Sequence, residues 1–95
     1  MEKVRLNGAA CQSQEALHNQ LIDTLHLPNH YGKNLDALWD CLTGEVSLPI
    51  ELTWVDFQVS KKYLGDYAES LHQLFKEAEE ELAGQFQFKI VEENS

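Results

Sequence analysis

Two carboxylates and an indole lie close together in the segment HYGKNLDALWDCLTGE, residues 30–45. Asp36 and Asp40 are four residues apart, a spacing that places both side chains on one face of a helix. No Lys or Arg stands between them, and Trp39 precedes the second acid. Carboxylates held in this way could bind basic side chains of a partner, hold a metal ion, or work as an acid/base pair.

Residues 34–44 are predicted to form the helix that carries these acids. Asn34 is suited to cap its first turn, and Gly44 is placed to end it in a left-handed turn. A rotation of about 100° per residue separates an apolar stripe from a polar one, so the acids are expected to face solvent. The apolar stripe holds Leu35, Leu38 and Leu42, the opposite side holds Asp36, Asp40 and Thr43, and Trp39 lies between them.

Three short segments alternate apolar and polar residues, which is typical of strands with one buried face. They run through Val4–Leu6, Ile50–Trp54 and Phe86–Ile90. Helical periodicity predicts helices after Ser13, over residues 55–64, and from a D-x-x-E start at Asp66. Residues 28–33 read as a loop before the acidic helix.

Strands separated by long helical crossovers are expected to be parallel. Parallel strands that are covered on both faces have continuous apolar sequences, whereas these three segments alternate apolar and polar residues. The sequence therefore predicts an α/β fold of two layers. A three-stranded parallel sheet would carry about four helices packed mainly on one face, with the other face open.

Length and composition restrict the function further. The 95 residues predict one domain over 1–95, with 92–95 as a frayed tail. The net charge of −9 argues against a nucleic-acid partner and favours a cationic partner or simple solubility. No apolar run approaches the roughly 20 residues that span a bilayer, and residues 1–8 carry no signal-peptide pattern. We therefore expect a cytoplasmic protein with no membrane partner, in which Cys11 and Cys41 are reduced.

Catalysis and metal binding are weaker interpretations of the acidic helix. The chain has no phosphate-binding glycine loop and no nucleophile elbow. His26 and His30 have a metal-ligand spacing, but Pro28 interrupts the helix register between them. We expect no enzyme, no cofactor and no metal. A small catalytic or metal-binding domain remains an alternative, and so does a merely solvated helix face.

An interaction face is the stronger interpretation because planar groups accompany the acids. Trp39 resembles an interface anchor, and His30 and Tyr31 precede the helix with rings that can stack.

The same residues carry a resemblance to a known family. Leu27-Pro28, Tyr31-Gly32, the run NLDALWDCLTG over residues 34–44, Glu51-Leu52 with Trp54, and Ala68-Glu69-Ser70 resemble barstar, the intracellular inhibitor of the secreted ribonuclease barnase. The similarity extends from Val4 to about Ile90, almost the whole chain. It implies a two-layer fold and a stoichiometric inhibitor that plugs a ribonuclease active site with its second helix and the preceding loop.

The resemblance also implies roles for individual residues. Asp40 matches the family's central acid, whose carboxylate enters the pocket for the scissile phosphate, and Asp36 matches the acid beside it. Gly44 matches the helix end that lies against the enzyme, and Glu77 matches a further acid that faces a basic group on the rim. The predicted partner-binding residues are His30, Tyr31, Asn34, Asp36, Trp39, Asp40, Thr43, Gly44 and Glu77.

Three positions depart from the family pattern. His30 stands where an aromatic stacks on a catalytic histidine, Glu45 replaces a tryptophan, and Ser47 replaces an acid. We therefore expect a partner that is a basic ribonuclease or related secreted nuclease, bound 1:1, with specificity shifted away from barnase itself. The alternative is a module of the same fold that meets another basic toxin and no longer inhibits ribonuclease.

Overall fold

Three parallel strands form the centre of the fold in the computed structural model, which describes residues 2–93. They are β1 (Glu2–Asn7), β2 (Ile50–Val55) and β3 (Phe86–Val91), adjacent in that order. Val4 pairs with Leu52, and Leu52 pairs with Phe88. The alternating apolar residues of all three strands therefore share one face, and the predicted parallel sheet is confirmed.

The helices fall between the strands, as predicted. A short 3-10 helix (Gly8–Ala10), α1 (Gln14–Leu25) and α2 (Leu35–Gly44) connect β1 to β2. From β2, α3 (Phe57–Leu64) and α4 (Asp66–Glu81) lead to β3. Helix α3 was predicted to begin at residue 55 and begins at Phe57, because Val55 is the last residue of β2. None of the described helices is long and apolar enough to cross a bilayer.

One face of the sheet is covered and the other is polar. The open face carries Lys3 and Arg5 of β1, Glu51 of β2 and Lys89 of β3. Lys89 Nζ lies 3.3 Å from Glu51 Oε1, an ion pair between neighbouring strands. The alternation in the sequence therefore predicted the two layers correctly, since only the apolar half of each strand has a layer of helices to pack against.

Two predicted helix ends differ from the structure. Gly44 is the last helical residue and its φ is not positive, so the left-handed turn was wrong; the Glu45 N–H closes the helix on the carbonyl of Cys41. At the start of α4 the cap position is Gly65, with φ 59° and no side-chain cap. The Glu69 carboxylate does not cap the helix and lies 2.7 Å from Lys61 Nζ of α3.

The predicted tail, residues 92–95, lies partly outside the described residues. Within them, the Glu93 N–H donates to Asp56 Oδ1 at 2.7 Å, and its carboxylate lies 2.7 Å from Arg5 Nη2. The Glu92 carboxylate accepts from the Gln58 N–H at 3.4 Å, in the first turn of α3. These two residues therefore contact the sheet and α3 in the structure.

The core between the sheet and the helices determines how α2 is rotated about its own axis. Leu38 and Leu42 are fully buried, at 0% exposure, and belong to the same apolar cluster as Leu52 and Trp54 of β2. Residues on the opposite side of α2, among them Asp36 and Asp40, are exposed. The helix is therefore anchored by its apolar stripe and presents its acids outward.

Replacing Leu38 by alanine tests this anchoring. Leu38→Ala is expected to lower the free energy of unfolding by about 2–5 kcal/mol, because it removes buried apolar contact and leaves a cavity. Asp40→Ala, on the exposed side of the same helix, is expected to leave the stability unchanged or slightly higher. Urea denaturation of both variants measures the difference. If Asp40→Ala unfolds the protein, the outward orientation of Asp40 is wrong.

Candidate functional site

Local hydrogen bonds shape α2 and its entry. Asn34 Oδ1 accepts from the Ala37 N–H at 2.8 Å, and Asn34 Nδ2 donates to the Gly32 carbonyl at 3.3 Å. Near the other end, Thr43 Oγ1 donates to the Trp39 carbonyl at 2.7 Å. Sequence analysis placed Asn34 and Thr43 at the partner. In the structure their polar groups form these hydrogen bonds within the helix and its entry, and contact of either residue with a partner stays a prediction.

The exposed side of α2 consists of Asp36, Asp40 and Gly44, which are here termed the acidic stripe. Within residues 2–93, neither carboxylate lies within ion-pair distance of a basic side chain. A Cβ placed on Gly44 would meet no atom within 4 Å, so the helix backbone is open at this point. The acidic stripe is therefore free to meet groups from another molecule.

A groove separates the acidic stripe from α4. Its volume is about 340 Å³, and its lining includes the apolar side chains of Leu35 and Leu74, the Trp39 ring, and the carboxylates of Asp36 and Glu77. Trp39 is half-buried in this position. The tertiary packing of α4 on α2 thus brings Glu77 next to the acidic helix, although 41 residues separate Asp36 from Glu77 in the sequence.

The loop that precedes α2 is held by a buried histidine. His18 is 1% exposed; its Nδ1 lies 2.7 Å from the Tyr31 hydroxyl and its Nε2 lies 2.6 Å from the Tyr67 hydroxyl. These bonds join α1, the loop and α4. Burial, and secondarily the charge of Lys33, lower the pKa of His18, so its neutral form is favoured.

Tyr31 was expected to carry a ring that can stack; the structure shows this ring buried, and its contact with a partner stays a prediction. The residue is 7% exposed, and its ring belongs to the core. Its hydroxyl finds a partner in His18 because a buried phenol needs one. The motifs of the sequence did not point to Tyr67 as a partner of His18. A histidine on an apolar stripe was the available signal, since its ring nitrogens require polar neighbours.

His30 is exposed to solvent. Its ring lies near Glu45, the residue that follows α2. His30 Nε2 lies 3.5 Å from Glu45 Oε1. The second oxygen, Glu45 Oε2, lies 3.9 Å from the Cys41 thiol. The sequence singled out Glu45 only as a departure from the family, whereas the structure places it at the edge of the acidic stripe.

The chemistry of nearby groups does not support catalysis. Burial, together with Glu45 and Asp40, raises the pKa of the Cys41 thiol, which therefore stays protonated and poorly nucleophilic. Burial likewise raises the pKa of Cys11 to about 11. Among the described side chains, no group of three or more His, Cys, Asp or Glu could hold a metal ion. The arrangement is suited to binding cationic groups.

The structure is a small α/β domain that carries an exposed acidic helix, and comparison with known proteins identifies its family. The family described as barstar (barnase inhibitor) matches residues 1–92. A protein of Bacillus subtilis (strain 168), named provisionally as the ribonuclease inhibitor YrdF, is 44% identical over 90 residues, covering 95% of this chain and 99% of the relative. The chain belongs to the barstar family.

Acidification is expected to destabilise the fold through His18. An imidazole in the unfolded chain titrates near pH 6.5, and the folded protein holds the pKa of His18 below that value. This contribution to stability is complete above about pH 6.5 and is lost as the pH falls below it, by at most about 1.4 kcal/mol per pH unit.

Urea denaturation between about pH 8 and pH 5.5, above the range where ordinary carboxyls titrate, measures this loss. His18→Gln should reduce the slope. The control is His26→Asn, at an exposed residue in the left-handed conformation, which asparagine tolerates. An identical slope in wild type and His18→Gln contradicts the assignment.

Proposed function

We propose that this chain is a stoichiometric inhibitor of a barnase-like ribonuclease, acting as an immunity protein in the cytoplasm of the cell that makes the enzyme. Family membership supports a ribonuclease as the partner, and the relative YrdF is named for ribonuclease inhibition. The inhibitor binds 1:1 and covers the enzyme's active site with the acidic stripe and the adjoining loop.

The observation that carries this proposal is the unpaired state of the acidic stripe. Like charges four residues apart on a helix destabilise it by about 0.2–0.5 kcal/mol, and within the described residues no basic side chain pairs with Asp36 or Asp40. Asp36 gains some stability from the helix N-terminus, but Asp40 lies beyond the first turn. A cationic partner would relieve this repulsion.

Mimicry of phosphate explains how such a stripe inhibits a ribonuclease. The active site of a ribonuclease holds cationic side chains arranged for a polyanion. The Asp40 carboxylate takes the place of the scissile phosphate and accepts charge-assisted hydrogen bonds from those side chains. Asp36 extends the negative surface, and the open backbone at Gly44 permits close approach. Because α2 is anchored in the core, little conformational entropy is lost on binding.

The groove between α2 and α4 fits a second feature of the partner. A guanidinium or ammonium group could lie between Asp36 and Glu77, while its aliphatic stem packs against Leu35 and Leu74. The half-buried ring of Trp39 adds a surface for a cation–π contact. We assign this groove to an Arg or Lys on the rim of the enzyme's active site.

The proposal is tested by titrating a barnase-type ribonuclease with the wild-type protein and with Asp40→Ala. Inhibition should reach completion at one equivalent. Asp40→Ala should weaken it by about 3–5 kcal/mol, roughly 10²–10⁴-fold, because the enzyme's buried cations lose their counter-charge. Asp23→Ala removes an exposed acid from α1, makes the same change in net charge, and should inhibit like the wild type.

The outcomes separate the candidate functions. Equal losses in Asp40→Ala and Asp23→Ala contradict a central role for Asp40. No inhibition by the wild type rejects the ribonuclease proposal for this enzyme class and leaves the alternative, a different basic toxin.

Salt should slow association. At about 0.01 M salt the Debye length is near 30 Å, and at about 0.15 M it is near 8 Å. Attraction between a chain of net charge −9 and a basic enzyme should therefore make the association rate at low salt faster by on the order of tenfold or more. Stopped-flow mixing at both salt concentrations measures the rate. A rate independent of salt contradicts electrostatic steering.

A further inference from the structure

The outer strand β3 presents backbone groups to a free edge of the sheet. Successive residues of a strand direct their N–H and C=O groups alternately to one side and to the other. The Asp56 N–H donates to the Val91 carbonyl at 2.8 Å, so Val91 faces β2, whereas Phe88 and Ile90 face the free edge. An edge of this kind can pair with a strand from another molecule.

The opposite edge, on β1, is occupied by a carboxamide from α1. The Glu2 N–H donates to the Pro49 carbonyl beside β2 at 3.3 Å, so by the same alternation Asn7 faces the free edge. The Asn7 N–H donates to Gln20 Oε1, and Gln20 Nε2 donates to the Asn7 carbonyl at 3.1 Å. A carboxamide carries a donor and an acceptor, as a peptide group does. Gln20 therefore binds both groups of Asn7 in the way that a neighbouring strand would.

The edge of β3 is occupied by a carboxylate from α4. The Phe88 N–H donates to Glu79 Oε2 at 3.0 Å, and Glu79 is half-buried in this position. A carboxylate has no hydrogen to donate to the Phe88 carbonyl, so Glu79 binds only one of the two edge groups. Cavities of about 240 and 250 Å³ flank this bond, one beside Ile90 and the other beside Gln87. The edge of β3 is therefore accessible on either side of Glu79.

The sequence of β3 is suited to pairing with a copy of itself. The strand, FQFKIV, has aromatic and β-branched residues, one charge, and neither Pro nor Gly, a composition typical of segments that pair edge to edge. Antiparallel pairing of two copies about Phe88 would join the N–H and C=O groups of the two Phe88 residues. It would also place Lys89 opposite Gln87 of the second copy, so no like charges would face each other across the strands.

We propose that Glu79 blocks a self-association surface, the free edge of β3, to which the β3 strand of a second copy would otherwise bind in antiparallel orientation. Glu79 removes the Phe88 donor from the edge, and pairing would bring the Glu79 carboxylates of both copies to the same two-fold axis, where they repel. Gln20 still closes β1, so association without Glu79 stops at a dimer. This inference is independent of the proposed function.

The experiment measures the mass of wild type and Glu79→Ala by sedimentation equilibrium over a range of protein concentrations. At about 0.15 M salt, repulsion between chains of net charge −9 is screened beyond about 8 Å. Glu79→Ala should form a dimer at concentrations at least about tenfold lower than any at which the wild type does, because the freed Phe88 N–H finds a partner in the second copy. Glu80→Ala removes an exposed acid from the next position of α4, makes the same change in net charge, and should behave like the wild type.

A second variant and hydrogen exchange locate the contact. Because the Ile90 N–H faces the edge, proline at this position removes no bond within the sheet but cannot donate to a second copy. The double variant Glu79→Ala/Ile90→Pro should therefore return to a monomer. In the Glu79→Ala dimer, the Ile90 amide should exchange more slowly than in the wild-type monomer. This measurement stands even if the proline variant does not fold.

The outcomes decide the proposal. A Glu79→Ala dimer with a slowed Ile90 amide supports it. A variant that unfolds cooperatively in urea, and so is folded, yet stays monomeric at every concentration would overturn it, whether the edge then stays empty or binds a strand of another protein. Equal association of Glu79→Ala and Glu80→Ala would overturn it as well, since net charge would be the cause. Association that leaves the Ile90 amide unprotected, or that continues beyond the dimer, would contradict pairing through β3 alone.

Discussion

The burial of Leu38 and Leu42 is the constraint on which the other features of the site depend. Both side chains are inaccessible to solvent, and a helix with two such residues on one stripe cannot rotate without exposing them. Their burial keeps Asp36 and Asp40 in solvent, on a rigid element. The electrostatic character of the site is thus a consequence of apolar packing on the other side of the same helix.

Packing around α2 completes a surface that is already organised before any partner arrives. His18 ties the loop to α1 and α4 through two tyrosine hydroxyls. In addition, α4 contributes Glu77 to the groove beside α2. Side chains that are already held lose little freedom on binding, so more of the charge–charge attraction remains as affinity.

Charge is distributed unevenly over the two layers. Three of the chain's seven basic residues, Lys3, Arg5 and Lys89, lie on the open face of the sheet, away from the acidic stripe. Two of them are paired there with acids. The acidic stripe gains nothing from these cations, and its self-repulsion is a cost to the folded state that a basic partner would remove under the proposed function. The two carboxylates thus lower the stability of the free helix, while under the proposed function the same charges attract the partner.

Local chemistry made much of the fold readable from the sequence alone. Ser13 and Asn34 cap their helices as predicted because capping involves residues only three apart. Alternation in the strands predicted the parallel, two-layer sheet, and the acids at 36 and 40 are exposed as their spacing indicates. Capping, strand alternation and helical spacing each depend on near neighbours in the chain, so the sequence by itself determined them.

Tertiary structure decided which residues meet across the chain. Tyr31 looked like an exposed ring and is buried, with its hydroxyl bonded to His18, which also bonds Tyr67, 49 residues further along the chain from His18. Glu45 looked like an isolated substitution and lies against His30. Periodicity tells which side of an element is buried, but not which side chain lies opposite it. Those contacts follow from how the helices pack on the sheet, where apolar burial over the whole domain outweighs any local preference.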